Sequence, residues 1–444
     1  MKTIIFRQLP DVFFYGDFPD EINGFWNDTR TLRPGDCFLA LTARRDGHEF
    51  LADAQQNGAR CAIVSRVNKN LSLPQLRVAN VLEAAKIIVK KYRKNYIIIS
   101  VSGSYGKTST KDMLQLLFGE NAYATEENLN NEFGVILSLS RMKSEQFGII
   151  EGGIDRPGEM DRLIDLLQPD ISVTTEIAPV HLSNFKNFDQ LIYEKVKILQ
   201  DTLARNGHGV IPEHCLTHAA FRPFADRCTI VGRGNRLVQC PHFTQFRLTK
   251  NSTIILRGEY FQSTAFLLPE MSSGQAENFA KAATVAKLAG IDDDAIQRKI
   301  LQWRPGKMRG ETIFFRGHAV YLDAYNANPA AMDDALRHFD KKYSGEKTYI
   351  LGGMQELGPL SKICHEKLAE YFFDKKNATI FAIGKEMEIF FERLRRANPA
   401  VKIFYFEDTE TAKKPLLKAI RGTIFAKGSR AYHLEEIFSN GNII

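Results

Sequence analysis

The chain contains 444 residues, of which 44% are hydrophobic and 25% are charged, and its formal net charge is +7. This length predicts about three domains, and the composition excludes a mainly disordered, collagen-like or disulfide-rich protein. No apolar run reaches the roughly 18–20 residues that span a bilayer, and the amino terminus lacks the pattern of a secretory signal. Six scattered cysteines without a CxxC pair indicate neither a zinc site nor a disulfide framework. We therefore expect a cytoplasmic protein without membrane insertion.

The excess of positive charge is mild, since 59 basic residues face 52 acidic ones. The basic clusters are short and are typical of solvated helix faces, so we expect no nucleic-acid partner. A protein that handles polyanionic small molecules would also carry such an excess.

The first 94 residues mix short elements, with strands predicted at 37–41 and 61–65 and helices at 49–57 and 82–94. A dense apolar run at 96–104 then predicts a buried parallel strand. Further strands at 147–153, 170–175 and 208–212 alternate with amphipathic helices, which favours a doubly wound sheet. Residues 221–268 are expected to be β-rich and irregular, and a helix is predicted at 275–289.

A second junction is predicted near residues 304–306, after which strands and helices alternate again. The predicted strands lie at 319–325, 348–353, 379–384, 402–406 and 422–428. The fold class is thus predicted as α/β with three domains: a small α/β domain at 1–94, a central parallel-sheet domain at 95–305, and a Rossmann-like domain at 306–444.

The strongest local signal is the run GSYGKTS at 103–109, between a buried strand and a helix-forming segment. Such a loop lets backbone N–H groups, the helix N-terminus and a lysine approach phosphate oxygens. The candidate phosphate-binding residues are Gly103, Ser104, Gly106, Lys107, Thr108 and Ser109. Thr108 would place its hydroxyl on Mg²⁺. The alternative is a plain tight turn, since Val101 departs from the usual Walker spacing.

Two more polar residues follow predicted strands, Glu151 and His181. Because the carboxyl ends of parallel strands share one crevice, both side chains should open near the phosphate loop. Both are candidate Mg²⁺ ligands, although magnesium prefers oxygen. The alternative for each is an ordinary capping or core polar group.

The segment 103–111 resembles the ATP loop of the Mur ligases, the bacterial enzymes that build the peptidoglycan stem peptide. Similar family patterns occur in the same order at 28–30, 34–36, 46–48, 128–135, 151–159, 169–182, 352–358 and 427–430. The run DAYNANP at 323–329 resembles the signature of the branch that adds D-Ala-D-Ala. The resemblance covers nearly the whole chain.

The resemblance implies an ATP-dependent peptide ligase that uses Mg²⁺. ATP would phosphorylate the terminal carboxylate of a UDP-linked muramoyl peptide, and the amine of D-Ala-D-Ala would attack the acyl phosphate. Lys107 would neutralise the transferring phosphoryl group, and Thr108 and Glu151 would hold one Mg²⁺. His181 would help to hold a second.

The resemblance also assigns residues to each domain and implies a monomer. The 1–94 domain would bind the UDP-sugar, and the 95–305 domain would be the P-loop ATPase domain that binds ATP. The 306–444 domain would bind the incoming dipeptide, and it would close over the nucleotide on a hinge near 304–309. The implied ATP-binding residues further include Asn131, Asn278, Arg309 and Asp323. The implied substrate-binding residues are Thr29, Arg30, Asp46, His48, Tyr325, Asn326, Asn328, Lys427, Ser429 and Arg430.

Lys195 aligns with a lysine that the family carbamylates with CO₂, which would make it catalytic together with Lys107 and His181. An amine must be neutral to take up CO₂, so its pKa should be depressed. The alternative is an ordinary surface lysine, because Lys197 stands where the family has an acid.

Other departures occur at Glu176 (usually Asn), at 272–274 (usually Gly-x-His), at Gly353 (usually Asp) and at Leu322 (usually an acid). Three hypotheses therefore stay open. The chain adds D-Ala-D-Ala; or it is a paralogue that joins another amine to another carboxylate by the same chemistry; or it binds nucleotide as a partner protein without ligation.

Overall fold

Three β-sheets, each flanked by helices, form the described part of the chain in this computed structural model. The structure describes residues 1–126, 129–180, 182–234, 237 and 239–439. Each sheet takes its strands from a separate stretch of sequence, so we refer to an N-terminal region before Ile97, a central region, and a C-terminal region from Gly306 onward. The prediction of an α/β fold is confirmed.

The N-terminal region contains β1 (Phe13–Tyr15), β2 (Phe25–Trp26), β3 (Cys37–Leu39), α1 (Leu51–Gln56), β4 (Cys61–Val64), β5 (Gln75–Arg77) and α2 (Val81–Tyr92). Its strand order is β1-β5-β4-β3-β2, and β1 alone runs antiparallel to its neighbour. Asn80 caps α2 by accepting the backbone N–H of Glu83. This cap and the apolar face of α2 explain why a helix forms where the sequence predicts one.

The central region contains β6 (Ile97–Ser102), α3 (Lys107–Phe118), β7 (Ala122–Ala124), α4 (Glu132–Arg141), β8 (Phe147–Glu151), α5 (Glu159–Leu167), β9 (Ile171–Thr174), α6 (Phe188–Ala204), β10 (His208–Pro212), β11 (Cys228–Gly232), β12 (Phe243–Leu248), β13 (Thr253–Gly258), β14 (Phe261–Leu267), α7 (Ser273–Leu288) and α8 (Asp293–Ile300). The strand order is β14-β13-β12-β11-β10-β9-β6-β8-β7. All neighbouring strands from β11 and β12 across to β7, including β6, are parallel. Strand β13 is antiparallel to both of its neighbours, β12 and β14. The β-rich segment predicted at 221–268 therefore supplies β11 to β14, the side of the sheet on which pairing changes from parallel to antiparallel.

The C-terminal region contains β15 (Glu311–Phe315), β16 (His318–Asp323), α9 (Pro329–Lys342), β17 (Lys347–Gly352), α10 (Ser361–Glu370), β18 (Ala378–Ile383), α11 (Glu388–Ala397), β19 (Lys402–Phe406), α12 (Thr409–Ala419) and β20 (Thr423–Lys427). The strand order is β15-β16-β20-β17-β18-β19, parallel except for β15. The inner strands are buried on both faces, as apolar runs in parallel sheets require.

The carboxyl ends of β6, β8, β16 and β20 carry the polar residues that the sequence singles out, which positions them for a common site. In the part of the chain that the structure describes, no helix is both long and apolar enough to cross a lipid bilayer.

Candidate functional site

The phosphate loop connects the end of β6 to the start of α3. Gly106 occupies the N-cap of α3 with φ 81°, a left-handed conformation that glycine adopts without strain. A side chain at Gly103 would overlap the hydroxyl group of Thr175. Both glycines are therefore needed for the turn, and the free backbone N–H groups of a helix N-terminus face the loop.

Two lysines converge on the phosphate loop. The Nζ of Lys107 lies 3.1 Å and the Nζ of Lys195 lies 2.9 Å from the carbonyl oxygen of Gly103. Lys195 is only 2% exposed, which excludes the alternative of a surface lysine. Burial and the nearby charge of Lys107 lower the pKa of Lys195 to about 7, and burial also lowers the pKa of Lys107. Positive charge with so little access to solvent favours the binding of an anion beside the loop.

Lys197 does not face Lys195. Its Nζ lies 2.7 Å from a carboxylate oxygen of Asp161 on α5 and 2.7 Å from one of Glu194. The second cation of this helix is thus paired with two carboxylates, and neither of these contacts involves Lys195.

Thr108 and Glu151 meet beside the loop, as the sequence predicts. The Thr108 hydroxyl donates a hydrogen bond of 2.8 Å to Glu151, and the Asn130 amide donates one of 2.9 Å to the other carboxylate oxygen. Glu151 is 2% exposed. A buried carboxylate and a hydroxyl next to phosphate-binding groups are the oxygen donors that Mg²⁺ prefers, so these residues fit the ion. His181, the third predicted ligand, lies outside the described residues.

Two predicted asparagines line the same cavity as the loop. Asn278, on α7, is 9% exposed, and its amide nitrogen would lie 2.8 Å from a Cβ placed at Gly106. Asn131 caps α4 by accepting the N–H of Gly134 at 2.8 Å. Of the two, Asn278 is the one that borders the phosphate loop directly.

The C-terminal region supplies the opposite wall. The Nζ of Lys427 lies 2.6 Å from a carboxylate oxygen of Asp323 and 3.0 Å from the carbonyl oxygen of Asn326. The guanidinium of Arg309 lies 3.8 Å from the centroid of the Tyr325 ring, a cation–π contact. Asn328 caps α9 by accepting the N–H of Ala331.

A cavity of about 590 Å³ lies between the two walls. Its lining includes predicted residues of both regions, namely Ser104, Gly106, Lys107, Thr108, Ser109, Asn131, Glu151, Lys195, Asn278, Arg309, Asp323, Tyr325, Asn326, Asn328 and Lys427. The cavity is therefore lined by the phosphate loop and the Thr108–Glu151 pair of the central region, and by the Asp323–Lys427 ion pair of the C-terminal region. This volume is within the range of small-molecule sites.

Other predicted residues lie elsewhere. Ser429 accepts the N–H of Gln355, and Arg430 pairs with Glu435. In the N-terminal region, Asp46 accepts hydrogen bonds from the backbone N–H of His48 and from Arg66, and the buried imidazole of His48 accepts from Ser65. Arg30 pairs with Asp28, and the carbonyl of Thr29 accepts from Asn57.

Among the cavity-lining residues that sequence reasoning missed are the polar residues Asn130, Lys281 and Asp334. Asn130 neighbours the predicted Asn131 and is the one that bonds Glu151. Lys281 is 1% exposed and pairs with Glu277 at 3.0 Å, one turn along α7 from Asn278. Asp334 comes from α9. Helical spacing from Asn278 could have indicated Lys281, but no local pattern indicates Asp334.

The departures from the family pattern have local partners. Glu176 lies 2.8 Å from the imidazole of His214, and its backbone oxygen accepts the N–H of Ser104. A Cβ at Gly353 would lie 2.9 Å from the hydroxyl of Tyr432, which leaves no room for the usual acid. Leu322 is 4% exposed in the core of the C-terminal sheet.

Fold and site together define a P-loop α/β protein of three sheets, with a nucleotide-type cavity between two of them. Residues 101–230 match the family described as Mur ligase middle domain, and residues 308–430 match Mur ligase, glutamate ligase domain. These matches span more than half of the sequence, and the chain belongs to the Mur ligase family.

Relatives resemble this chain over almost its full length. The UDP-N-acetylmuramoyl-tripeptide--D-alanyl-D-alanine ligase of Rickettsia prowazekii is 26% identical, with 92% of this chain and 93% of the relative covered. The ligase of the same name from Escherichia coli K12 is 26% identical, with 98% of both chains covered. A crystal structure of MurF from Acinetobacter baumannii matches with a TM-score of 0.82 and 26% identity, covering 99% of this chain and 98% of that one.

Proposed function

We propose that this chain is the ATP-dependent ligase that joins D-Ala-D-Ala to UDP-N-acetylmuramoyl-tripeptide in peptidoglycan precursor synthesis. One observation carries the proposal: Lys107, the buried Lys195 and the Thr108–Glu151 pair face the Asp323–Lys427 pair across a single cavity. The names of its relatives support the choice of substrates. We further propose a cytoplasmic monomer divided at 94/95 and 305/306.

The residues of the cavity account for activation of a carboxylate by ATP. The α3 N-terminus and Lys107 would bind the transferring phosphoryl group and stabilise the charge that it develops. Thr108 and Glu151 would hold Mg²⁺, which when bound supplies further positive charge at the phosphate oxygens. Asn278 and Asn131 would orient the rest of the nucleotide.

Bond formation follows in two balanced steps. The terminal carboxylate oxygen of the UDP-linked peptide attacks the γ-phosphorus, releasing ADP and giving an acyl phosphate. The neutral amine of D-Ala-D-Ala then attacks the acyl carbon, and phosphate leaves as the amine loses a proton. Asp323 and Lys427, in the proposed dipeptide-binding region, would orient the partners in this second step.

We also propose that Lys195 is carbamylated in the active enzyme. A pKa near 7 leaves much of this amine neutral at physiological pH, which is the form that attacks CO₂. The neutral amine forms a C–N bond with the carbon of CO₂ and releases one proton, so an uncharged amine becomes an anionic carbamate beside Lys107. Labelling with ¹³C-bicarbonate should give a carbamate signal in the wild type that is absent from Lys195→Met.

The decisive experiment measures phosphate release from Mg-ATP with UDP-N-acetylmuramoyl-tripeptide and either D-Ala-D-Ala or a panel of other amines. We expect release that requires the tripeptide and D-Ala-D-Ala together. Lys107→Ala should lower it by about a thousandfold, because a preorganised charge at the transferring group is lost. Lys94→Ala, at an exposed position, is the matched control. Release with a different amine only would contradict the D-Ala-D-Ala assignment, and ATP binding without release would contradict ligation.

A further inference from the structure

One face of α9 lies against the segment that precedes α7. Asp334, His338 and Lys342 are spaced by four residues and therefore share this face. Lys342 lies 2.8 Å and His338 lies 3.7 Å from carboxylate oxygens of Glu270. These contacts join the C-terminal region to the central region at the rim of the cavity.

Asp334 makes the most specific contact of this face. One carboxylate oxygen accepts the hydroxyl of Ser272 at 2.5 Å, and the other accepts the backbone N–H of Gly274 at 3.1 Å. Ser272 is itself the N-cap of α7, with a complete capping box to Gln275. The carboxylate of one region therefore satisfies the helix N-terminus of another, where the helix dipole also favours negative charge.

This contact depends on the absence of a side chain at position 274. A Cβ at Gly274 would lie 2.9 Å from the carboxylate of Asp334. Position 274 is one of those at which the chain departs from the family pattern, and glycine there leaves the room that the Asp334 carboxylate occupies.

The same two helices carry the two walls of the cavity. α7 continues from this contact to Asn278 and Lys281, and α9 begins at Asn328, directly after the loop with Asp323 and Tyr325. Asp334 itself lines the cavity and is largely buried, and burial raises the pKa of its carboxyl group while the bonds from Ser272 and Gly274 oppose that rise. A shift of α9 relative to α7 would therefore change the separation of the walls.

We propose that Asp334 is a positioning residue: by binding the N-terminus of α7, it sets the distance at which Asp323, Arg309 and Lys427 face the phosphate loop. Its role in turnover rests on the proposed function. Its role in the arrangement of the two regions does not, and can be measured without substrates.

The test compares Asp334→Ala with Asp333→Ala, whose neighbouring carboxylate pairs with Arg337 on the surface. Small-angle scattering with ADP should show a larger radius of gyration for Asp334→Ala and no change for Asp333→Ala. In turnover, Asp334→Ala should lower kcat about tenfold, the effect of about one charge-assisted hydrogen bond, with the KM for ATP nearly unchanged. Asp334→Asn, which keeps one acceptor oxygen, should recover part of the loss.

Two further variants distinguish the loss of this contact from a folding defect in Asp334→Ala. Gly274→Ala should reproduce the scattering change while Asp334 is intact, and Ser272→Ala should add little to Asp334→Ala in a double-mutant cycle. Equal scattering of Asp334→Ala and Asp333→Ala would overturn the proposal, as would an increased kcat in Asp334→Ala. If the wild type fails to ligate any amine, the proposed function is wrong, while the scattering comparison still decides whether Asp334 positions the two regions.

Discussion

The central region meets its two neighbours in opposite ways. Toward the N-terminal region, one hydrophobic core runs without interruption through both regions and includes Phe25, Ile88 and Leu139. The contact also buries an ion pair, since Arg141 lies 2.9 Å from Asp36 and the two side chains are 7% and 0% exposed. The Trp26 ring covers the guanidinium at 4.4 Å.

Toward the C-terminal region, the described contacts are mainly polar and surround a cavity. Glu270 meets α9 through Lys342, Asp334 meets α7, and the N–H of Leu182 donates to the carbonyl of Glu356 at 3.0 Å. Separating these two regions exposes hydrogen-bonding groups that water can satisfy, whereas separating the first two would expose a core. We therefore expect that the N-terminal and central regions move as one body, and that closure around ATP occurs at the predicted hinge near 304–309.

The largest effect that this comparison predicts is on Arg141→Leu. Removing the guanidinium leaves the Asp36 carboxylate buried without its charge partner, so the free energy of unfolding should fall by about 3–5 kcal/mol. Urea denaturation measures the loss.

Arg33→Leu is the matched control, because Arg33 pairs with Glu126 across the same junction with 59% of its side chain exposed. Breaking this exposed pair should lower the free energy of unfolding by less than about 1 kcal/mol. The double replacement Asp36→Leu/Arg141→Leu should restore much of the stability, since both charges are then gone. If Arg141→Leu costs no more than Arg33→Leu, the first junction is not held as we describe.

A second prediction concerns the buried amine on the cavity side. The folded pKa of Lys195 is about 7 and its ordinary value is 10.5, so between these values the unfolded chain binds more protons than the folded one. Stability must then rise with pH over this window, by roughly 1 kcal/mol per pH unit, and below the folded pKa the cost of a buried cation remains. Lys195→Met should remove this rise.

The measurement is urea denaturation of wild type and variant from pH 7 to pH 10, in buffer freed of carbon dioxide so that the amine stays unmodified. Lys197→Met serves as control, because the paired Lys197 has its pKa raised rather than lowered. A wild-type curve parallel to that of Lys195→Met would show that the amine is not desolvated in the folded protein.

Continuous signals in the sequence predicted most of the fold. Strands β6, β17 and β18 are six-residue, largely apolar runs, and such runs predict a buried strand from the sequence alone. The two- and three-residue strands β1, β2 and β7 were not predicted, because they are defined by pairing with distant strands rather than by their own pattern. The edge strand β15 was missed for the same reason.

The residues of the site fall into the same two groups: those that a local motif predicts, and those that only the packing of distant elements brings together. Lys107, Thr108 and Glu151 follow strands within recognisable motifs, and the structure brings them together. Asp334 was not predicted, because its role depends on how α9 lies against α7, which no local pattern contains. Lys197 misled in the other direction: because it stands where the family has an acid, it kept open the alternative of a surface lysine at position 195. In the structure Lys195 is buried, and Lys197 pairs with Asp161 on the neighbouring helix α5.

The smallest predicted effect tests the polar junction itself. Glu270 is 53% exposed and pairs with Lys342 at 2.8 Å, so Glu270→Gln should change the free energy of unfolding by less than about 1 kcal/mol. The effect should vanish near 1 M salt, where exposed charges are screened. Glu370→Gln, which breaks an exposed pair with Arg393 inside the C-terminal region, should cost about the same in urea. Only Glu270→Gln should enlarge the radius of gyration in scattering, because only that pair joins two regions. If Glu270→Gln instead costs as much as Arg141→Leu, the two junctions are equally tight, and the C-terminal region cannot move independently of the other two.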